Sequence, residues 1–586
     1  MKGKRITATD LIFGVSMCAA ILLYLSRIRM GMADLDESFY LTIPMRLTQG
    51  DALFVDEWHL SQLSSFLLYP LVKLYRIVVG HTDGIVLNFR YLYLVVQTLV
   101  TLTGYVLLRK RDRQMAAAVS MVYMLFTPFG IKAFSYNTMG LMAVCLFVVL
   151  NLVETGWTRL QYGFMGLFLA AAVLCNPYMI LLYVIWCGST VCAAFADKWS
   201  RRNGTRKSDH HGAVVLFTWE KLIFMTAGAG ILLVWFLLFQ LSRTDILAMI
   251  ENLSFVVSDS AHKPKTLKAV FHAFTYYTDV YPIYFWIWAG CTAVGTLIKR
   301  VSSVCFSAVT VASVCFTLFF AFELTDGIGY AAIMISLTMA GLSAFLFMKK
   351  KNWILFFGWL VGVFYGFCLG ASSNNGIYVF ANACTISSAV SLMIIGEYAG
   401  EKKSVKRTEN GDSFGMKLLA KLPTAALILL FCVQLFAESY ILLNHIFWES
   451  GPEAMTETIE EGPLAGLTTT AYKKKRYETN YENVMSLRER DGEYIMFFSR
   501  FISGYLIFDD WKVGASSTWL ADSAKDLNDP RVVEYELRHP ERKPDMIYVD
   551  TDTTGVWTEE QWENYCVEKG YRMEWFDRGG LVLISE

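Results

Sequence analysis

The chain has 586 residues, 55% hydrophobic and 18% charged, with a mean hydropathy of +0.39. That balance excludes an ordinary soluble domain, and runs of about 20 apolar residues read as membrane helices. Basic and acidic residues number 52 each, so no net positive charge points to a nucleic-acid partner.

In chain order, thirteen spans are expected, at 10–27, 84–108, 114–129, 138–154, 160–175, 177–196, 219–241, 281–299, 301–323, 328–348, 352–371, 377–397 and 417–441. The first does not read as a cleaved signal, because Arg27 and Arg29 flank it and no small-residue cleavage site follows. Basic clusters close alternate loops: MKGKR at the start, RKRDR (109–113), KWSRRNGTRK (198–207), KR (299–300), MKKK (348–351) and EKKSVKR (401–407). They fall on one side when thirteen spans are counted, which puts the N-terminus in the cytoplasm. Residues 66–79 are apolar but carry Lys73 and Arg76 on one face, the pattern of an amphipathic helix on the membrane surface.

An odd span count places residues 442–586 outside, as an extracytoplasmic domain following the transmembrane module 1–441. In it, PDMIYVD (544–550) and GGLVLIS (579–585) read as strands and TEEQWENYCVEKGY (558–571) as an amphipathic helix. The expected fold class is therefore an all-α polytopic membrane protein with a small α/β external domain. The first loop, 28–83, shares that side with 130–137, about 242–280, 324–327 and 372–376.

The first loop carries the chemistry. Asp34, Asp36, Glu37 and Asp56 lie close together, followed by Glu57 and His59. Carboxylates beside a bilayer are unfavourable unless they stay in water or do something there. A pair of them at the membrane surface suggests a general base. The other motifs have plain explanations. DTD (550–552) is a turn at a strand end, GAG (228–230) lies within a span and serves helix packing, and no P-loop or Rossmann fingerprint occurs. Eleven of the 12 cysteines fall in apolar segments, without CxxC spacing.

The order of a first span, DESFYLTIPMRLTQGDALFVDEWH, a surface helix and a span opening with NFRYLYLVVQ resembles the GT-C glycosyltransferases. Within them it is similar to the protein O-mannosyltransferase and aminoarabinose-transferase branch. The resemblance implies transfer of a sugar from a polyprenyl-phosphate donor to an extracytoplasmic glycan, lipid or protein acceptor. It implies Asp36 as the base, with Glu37 holding the loop or orienting the acceptor. Arg90 either snorkels to headgroups or binds the donor phosphate, and Lys132 is a second phosphate candidate. Tyr136, Asn137, Asn374 and Asn375 are candidate sugar contacts. His59 and Gln62 border the site where the family often has Lys-Pro-Pro. No cofactor is certain. A divalent metal is a candidate, with Glu57 and His59 as two ligands, too few to define a site. HKPK (262–265) reads first as an exposed turn, with a mobile lid over the donor phosphate as the alternative. The competing readings are a transporter or flippase of lipid-linked glycans and a non-catalytic scaffold. The nearly charge-free span centres and the lack of a repeat argue against transport.

Overall fold

The computed structural model describes residues 6–586 except 154, 203–215, 259–280, 324–331, 373–376, 409–419, 509, 520–526 and 551. Each of the thirteen expected spans contains a helix. Among the described residues nine helices are long and apolar enough to cross a membrane: Ala8–Arg27, Ile85–Leu108, Thr158–Cys175, Pro177–Trp199, Trp219–Leu241, Lys299–Phe322, Trp353–Ser372, Val379–Ser404 and Leu422–Asn444. The other four expected spans are shorter helices, Arg113–Leu125, Tyr136–Leu152, Pro282–Leu297 and Ile333–Phe347. The chain is a polytopic helical membrane protein with a small C-terminal sheet region.

The starts of several helices are written locally. Thr7 and Asp10 cap the first helix reciprocally, and Asp112, Ser135 and Thr218 each accept a first-turn N–H of the helix that follows. Position in the bundle is not local. In the most apolar window of Val379–Ser404, 94% of residues are buried, against 22% in the first helix, so the former is central and the latter peripheral. The central helix packs through small polar residues. Ser387 donates to the Trp359 carbonyl at 2.8 Å and Ser388 to that of Met334 at 2.6 Å, while Gly362 and Gly341 leave room for Ser387 and Ser391.

Helices Thr158–Cys175 and Trp219–Leu241 touch backbone to backbone. A Cβ on Gly228 would lie 1.8 Å from the Gly163 carbonyl oxygen, and one on Gly166 would lie 1.8 Å from that of Met225. The packing role expected of the GAG segment holds at Gly228, while Gly230 has open space. Gly228→Ala is expected to force the two helices apart and destabilise the protein by about 1–3 kcal/mol, whereas Gly230→Ala is neutral or stabilising. Unfolding midpoints of the two variants in detergent check this; equal midpoints would contradict it.

Two helices lie in the first loop. Phe39–Thr48 follows the acidic segment, and Ser65–Val79 is the amphipathic helix expected there, closed by Gly80 in the left-handed region (φ +78°). The segment about 242–280, expected from the sequence as an external loop, contains the helix Ile246–Val257. Its Phe255 stacks on Trp58 of the first loop at 4.8 Å.

The C-terminal region forms a five-stranded sheet. Its strands are β3 (Tyr494–Phe497), β4 (Lys512–Val513), β5 (Met546–Val549), β6 (Tyr571–Trp575) and β7 (Leu581–Ser585), after a small hairpin of β1 (Glu457–Thr458) and β2 (Thr468–Thr469). The spatial order is β4-β3-β5-β7-β6, parallel around β3 and antiparallel at β7. Strands β5 and β7 and the helix Glu559–Lys569 stand where the sequence pattern put them. Asp550 accepts from the Thr553 N–H at 2.8 Å and so caps a turn, the role expected of the DTD segment at that residue; Thr551 lies outside the described residues.

This region clamps the first loop. Ser503 donates to Asp34 through its N–H and its hydroxyl, each at 3.0 Å. The Trp58 N–H reaches the Ser516 carbonyl at 2.7 Å, and Gln49 donates to that of Trp511 at 2.8 Å. The first loop and the C-terminal region therefore share one end of the bundle.

Candidate functional site

The acidic segment is split by its backbone. Asp34–Ser38 forms one π-helical turn running into Phe39–Thr48. Such turns break the usual side-chain spacing, and here the three carboxylates take three directions. Asp34 is buried and turned toward the C-terminal region, accepting from Ser38 at 2.5 Å as well as from Ser503. Burial lifts its carboxyl to about 6 despite these hydrogen bonds. Glu37 is buried and turned toward the second span. Asp36 alone of the three is half-exposed. It is not the N-cap of the following helix, because Ser38 occupies that position. Its charge bears on the phenols of Tyr40 and Tyr136, whose rings meet edge to face at 6.0 Å.

Arg90 organises this arrangement. Its Nε donates to Glu37 at 2.9 Å and one terminal nitrogen completes the fork to the same carboxylate. The remaining donors meet the carbonyls of Ile28 (2.8 Å), Met30 (3.1 Å) and Gly31 (2.8 Å). All five guanidinium N–H groups are thus engaged within the chain, and the residue is 3% exposed. Neither snorkelling nor phosphate binding describes this geometry. Arg90 ties the end of the first span to the acidic turn. The sequence reading missed the Glu37–Arg90 pair because its partners are 53 residues apart.

Lys132 is the contrasting cation. Phe129 and Gly130 both adopt the left-handed region (φ +57° and +74°), and the Phe129 N–H is held by Asn382 at 3.0 Å. Phe129 is unusual there, and such turns persist only where the surroundings enforce them. The turn brings Lys132 into a narrow cleft with Gly31, Ala33, Glu37, Arg90 and Phe447. Lys132 is 6% exposed, and its ammonium makes no hydrogen bond or ion pair among the described residues. Burial first, then the positive charge of Arg90, lower it from the ordinary lysine value to about 8, against the pull of Glu37.

The rest of the acidic loop is structural. Arg46, 1% exposed, binds Asp51 at 2.6 Å, Glu57 at 2.8 Å and the Asp56 carbonyl at 2.5 Å. Arg542 reaches Asp51 at 2.8 Å and Asp56 at 3.0 Å. Glu57 also accepts from the His59 N–H at 2.9 Å, so both its oxygens are taken, and His59 Nδ1 meets the Ser61 hydroxyl at 2.8 Å. Among the described residues no three His, Cys, Asp or Glu side chains converge as a metal site. The pair Glu57 and His59 does not fit a divalent ion.

Gln62 is fully buried, with its oxygen held by the Phe54 N–H at 2.6 Å, and it supports the loop from beneath. Asn137 sits beside the Tyr136 phenol at the start of helix Tyr136–Leu152. Asn374, Asn375 and HKPK lie outside the described residues. The structure thus brings together Asp36, Glu37, Arg90, Lys132, Tyr136 and Asn137. His59 packs instead against the rings of Phe39 and Trp519, and Gln62 and Glu57 are engaged within the loop.

No family model and no curated protein matches the chain. Solved structures do. One is ArnT from Cupriavidus metallidurans bound to undecaprenyl phosphate, with TM-score 0.42 and 10% identity over 98% of each chain. Another is the oligosaccharyltransferase AglB of Archaeoglobus fulgidus in complex with an inhibitory peptide and a dolichol-phosphate, with TM-score 0.38 and 10% identity over 98% of this chain and 74% of that one. An Archaeoglobus fulgidus oligosaccharyltransferase in the apo form gives 0.43 and 12% over 98% of this chain and 74% of that one.

Proposed function

We propose that the protein is an inverting membrane glycosyltransferase that moves a sugar from a polyprenyl-phosphate donor to an acceptor hydroxyl or similar nucleophile. The observation that carries this reading is the buried Lys132 ammonium without an anionic partner, set beside the Glu37–Arg90 pair and the half-exposed Asp36. A buried cation of this kind is unfavourable until an anion arrives, and a lipid phosphate at the membrane surface supplies one. The sequence resemblance of residues 30–140 supports the same reading. The positive-inside pattern supports an orientation with this loop and the C-terminal region outside the cytoplasm, and the family resemblance supports the plasma membrane as the location.

In the proposed reaction the acceptor oxygen attacks the anomeric carbon and its proton passes to the Asp36 carboxylate. The bond from that carbon to the phosphate oxygen breaks, and the electron pair leaves with the lipid phosphate. Lys132 neutralises the charge developing there. Arg90 and Glu37 position the turn that presents Asp36. Tyr40, Tyr136 and Asn137 face the sugar. No step requires a metal.

The test is donor binding against pH. Above about 8 Lys132 loses its proton, so the affinity of wild type for a polyprenyl-phosphate sugar is expected to fall by up to about tenfold per pH unit. Lys132→Arg, which stays protonated, is expected to flatten the profile. Lys132→Met is expected to bind weakly at every pH. An unchanged profile in both variants would remove Lys132 from the phosphate site. Failure of wild type to bind any member of a labelled donor panel would remove the function.

A further inference from the structure

A second polar cavity lies at the opposite ends of the helices. It measures about 670 Å³ and is bounded by the end of Tyr136–Leu152, the starts of Thr158–Cys175 and Trp219–Leu241, and Ile354. Its polar lining includes the cations Lys110, Arg111 and Lys221 and the neutral groups of Asn151, Thr155, Thr158, Gln161 and Tyr162. None of these residues belongs to the transfer site.

Lys221 is the centre of it. The residue is 5% exposed and its ammonium has one hydrogen-bond partner among the described residues, the Asn151 oxygen at 2.5 Å. The ammonium lies over the rings of Trp186 at 5.0 Å and Tyr162 at 5.4 Å. These faces attract a cation but do not neutralise it. Among the described residues no carboxylate pairs with Lys221. Asn151 turns its oxygen to Lys221, and its own buried Nδ2 has no partner. Gln161 is engaged with the carbonyls of Leu150 and Val153 and shapes the floor. Arg111 is held at the rim by Glu397 at 2.9 Å, and Lys110 stands exposed beside it.

A desolvated ammonium and an idle amide N–H beside two rim cations give the cavity's described lining an excess of donors and of positive charge. Buried polar groups are ordinarily satisfied, so this combination calls for a ligand rich in acceptors and negative charge. The cavity opens where helix ends meet the membrane surface, and basic pockets between helices at that depth hold anionic headgroups. We infer that this cavity binds a phosphate-bearing group, as a second anion site remote from the first loop. The backbone contact of Gly228 with Gly163 fixes the Lys221 helix in place, so the cavity is preformed.

The experiment uses the full chain in detergent, with native mass spectrometry and thermal unfolding. One arm adds phosphatidylglycerol or cardiolipin against phosphatidylcholine; the other adds inorganic phosphate. Wild type is expected to retain the anionic lipid and to unfold at a higher temperature with it. Lys221→Met is expected to weaken retention about tenfold, and the exposed-rim change Lys110→Ala, which leaves the fold intact, by a few-fold. Protection by phosphate alone, lost in the same variants, would support the site with a soluble ligand. Equal behaviour of anionic and zwitterionic lipid, with no effect of phosphate on wild type, would overturn the inference whatever the variants do.

Discussion

Asp36→Asn is expected to lower the transfer rate by about 10²–10⁴-fold while leaving donor affinity and the unfolding midpoint almost unchanged. The factor is the usual contribution of a positioned general base. The second half of the expectation comes from the geometry. Asp36 is half-exposed, and the acidic turn is held by its neighbours: Asp34 is fixed by Ser38 and Ser503, and Glu37 by Arg90. Glu37→Gln is expected to do the reverse of a clean active-site change. It leaves a buried guanidinium without its carboxylate and lowers stability together with activity. Adjacent residues thus separate chemistry from scaffolding. Transfer from a labelled lipid-phosphate sugar, measured with unfolding midpoints, checks both. Full activity in Asp36→Asn would remove it as the base.

The largest stability effect is expected at Arg46. Arg46→Ala leaves Asp51 and Glu57 buried, at 2% and 1% exposure, with the positive charge between them gone. Breaking one partner out of a buried ion pair costs about 3–5 kcal/mol. Arg542 still faces Asp51 and Asp56, so the loop is weakened rather than released outright. The pH dependence has a definite sign. Burial already raises the Glu57 carboxyl in the wild type, against the pull of Arg46, and removing Arg46 raises it further. A folded acid with a raised pKa binds more protons than the unfolded chain, so stability falls as pH rises through that range. The deficit of Arg46→Ala is therefore expected to be largest near neutral pH and to shrink on acidification. Denaturant unfolding across pH measures it. A deficit independent of pH would mean that the lost contacts, not the stranded carboxylates, set the effect.

The sequence by itself determined the elements whose cause is local. Apolar runs marked the helices, because burying or exposing about 20 residues in lipid is decided segment by segment. Lys73 and Arg76 marked Ser65–Val79 as a surface helix, and short apolar runs bounded by Pro, Asp and Gly marked β5 and β7. The acidic first loop was legible as a candidate site, since several carboxylates stand together there directly after a span. Short β4, with only Lys512 and Val513, and the helix Ile246–Val257 inside a loop carried too little pattern to be read.

Only the tertiary structure decided what each charge does. Asp34, Asp36 and Glu37 are equivalent as letters, and a single π-helical turn sends one to the C-terminal region and one to the second span and leaves Asp36 half-buried near Tyr40 and Tyr136. Arg90 and Lys132 were both phosphate candidates, and they part company because one makes five hydrogen bonds to four residues of the chain and the other makes none among the described residues. Asp51 and Arg542 meet across 491 residues of chain. Hydropathy and capping act over a few residues, whereas a buried charge is answered by whichever partner the whole fold brings near. That is why the helices could be read in order along the chain, and why the roles of its charged residues, Lys221 among them, came only from the folded bundle.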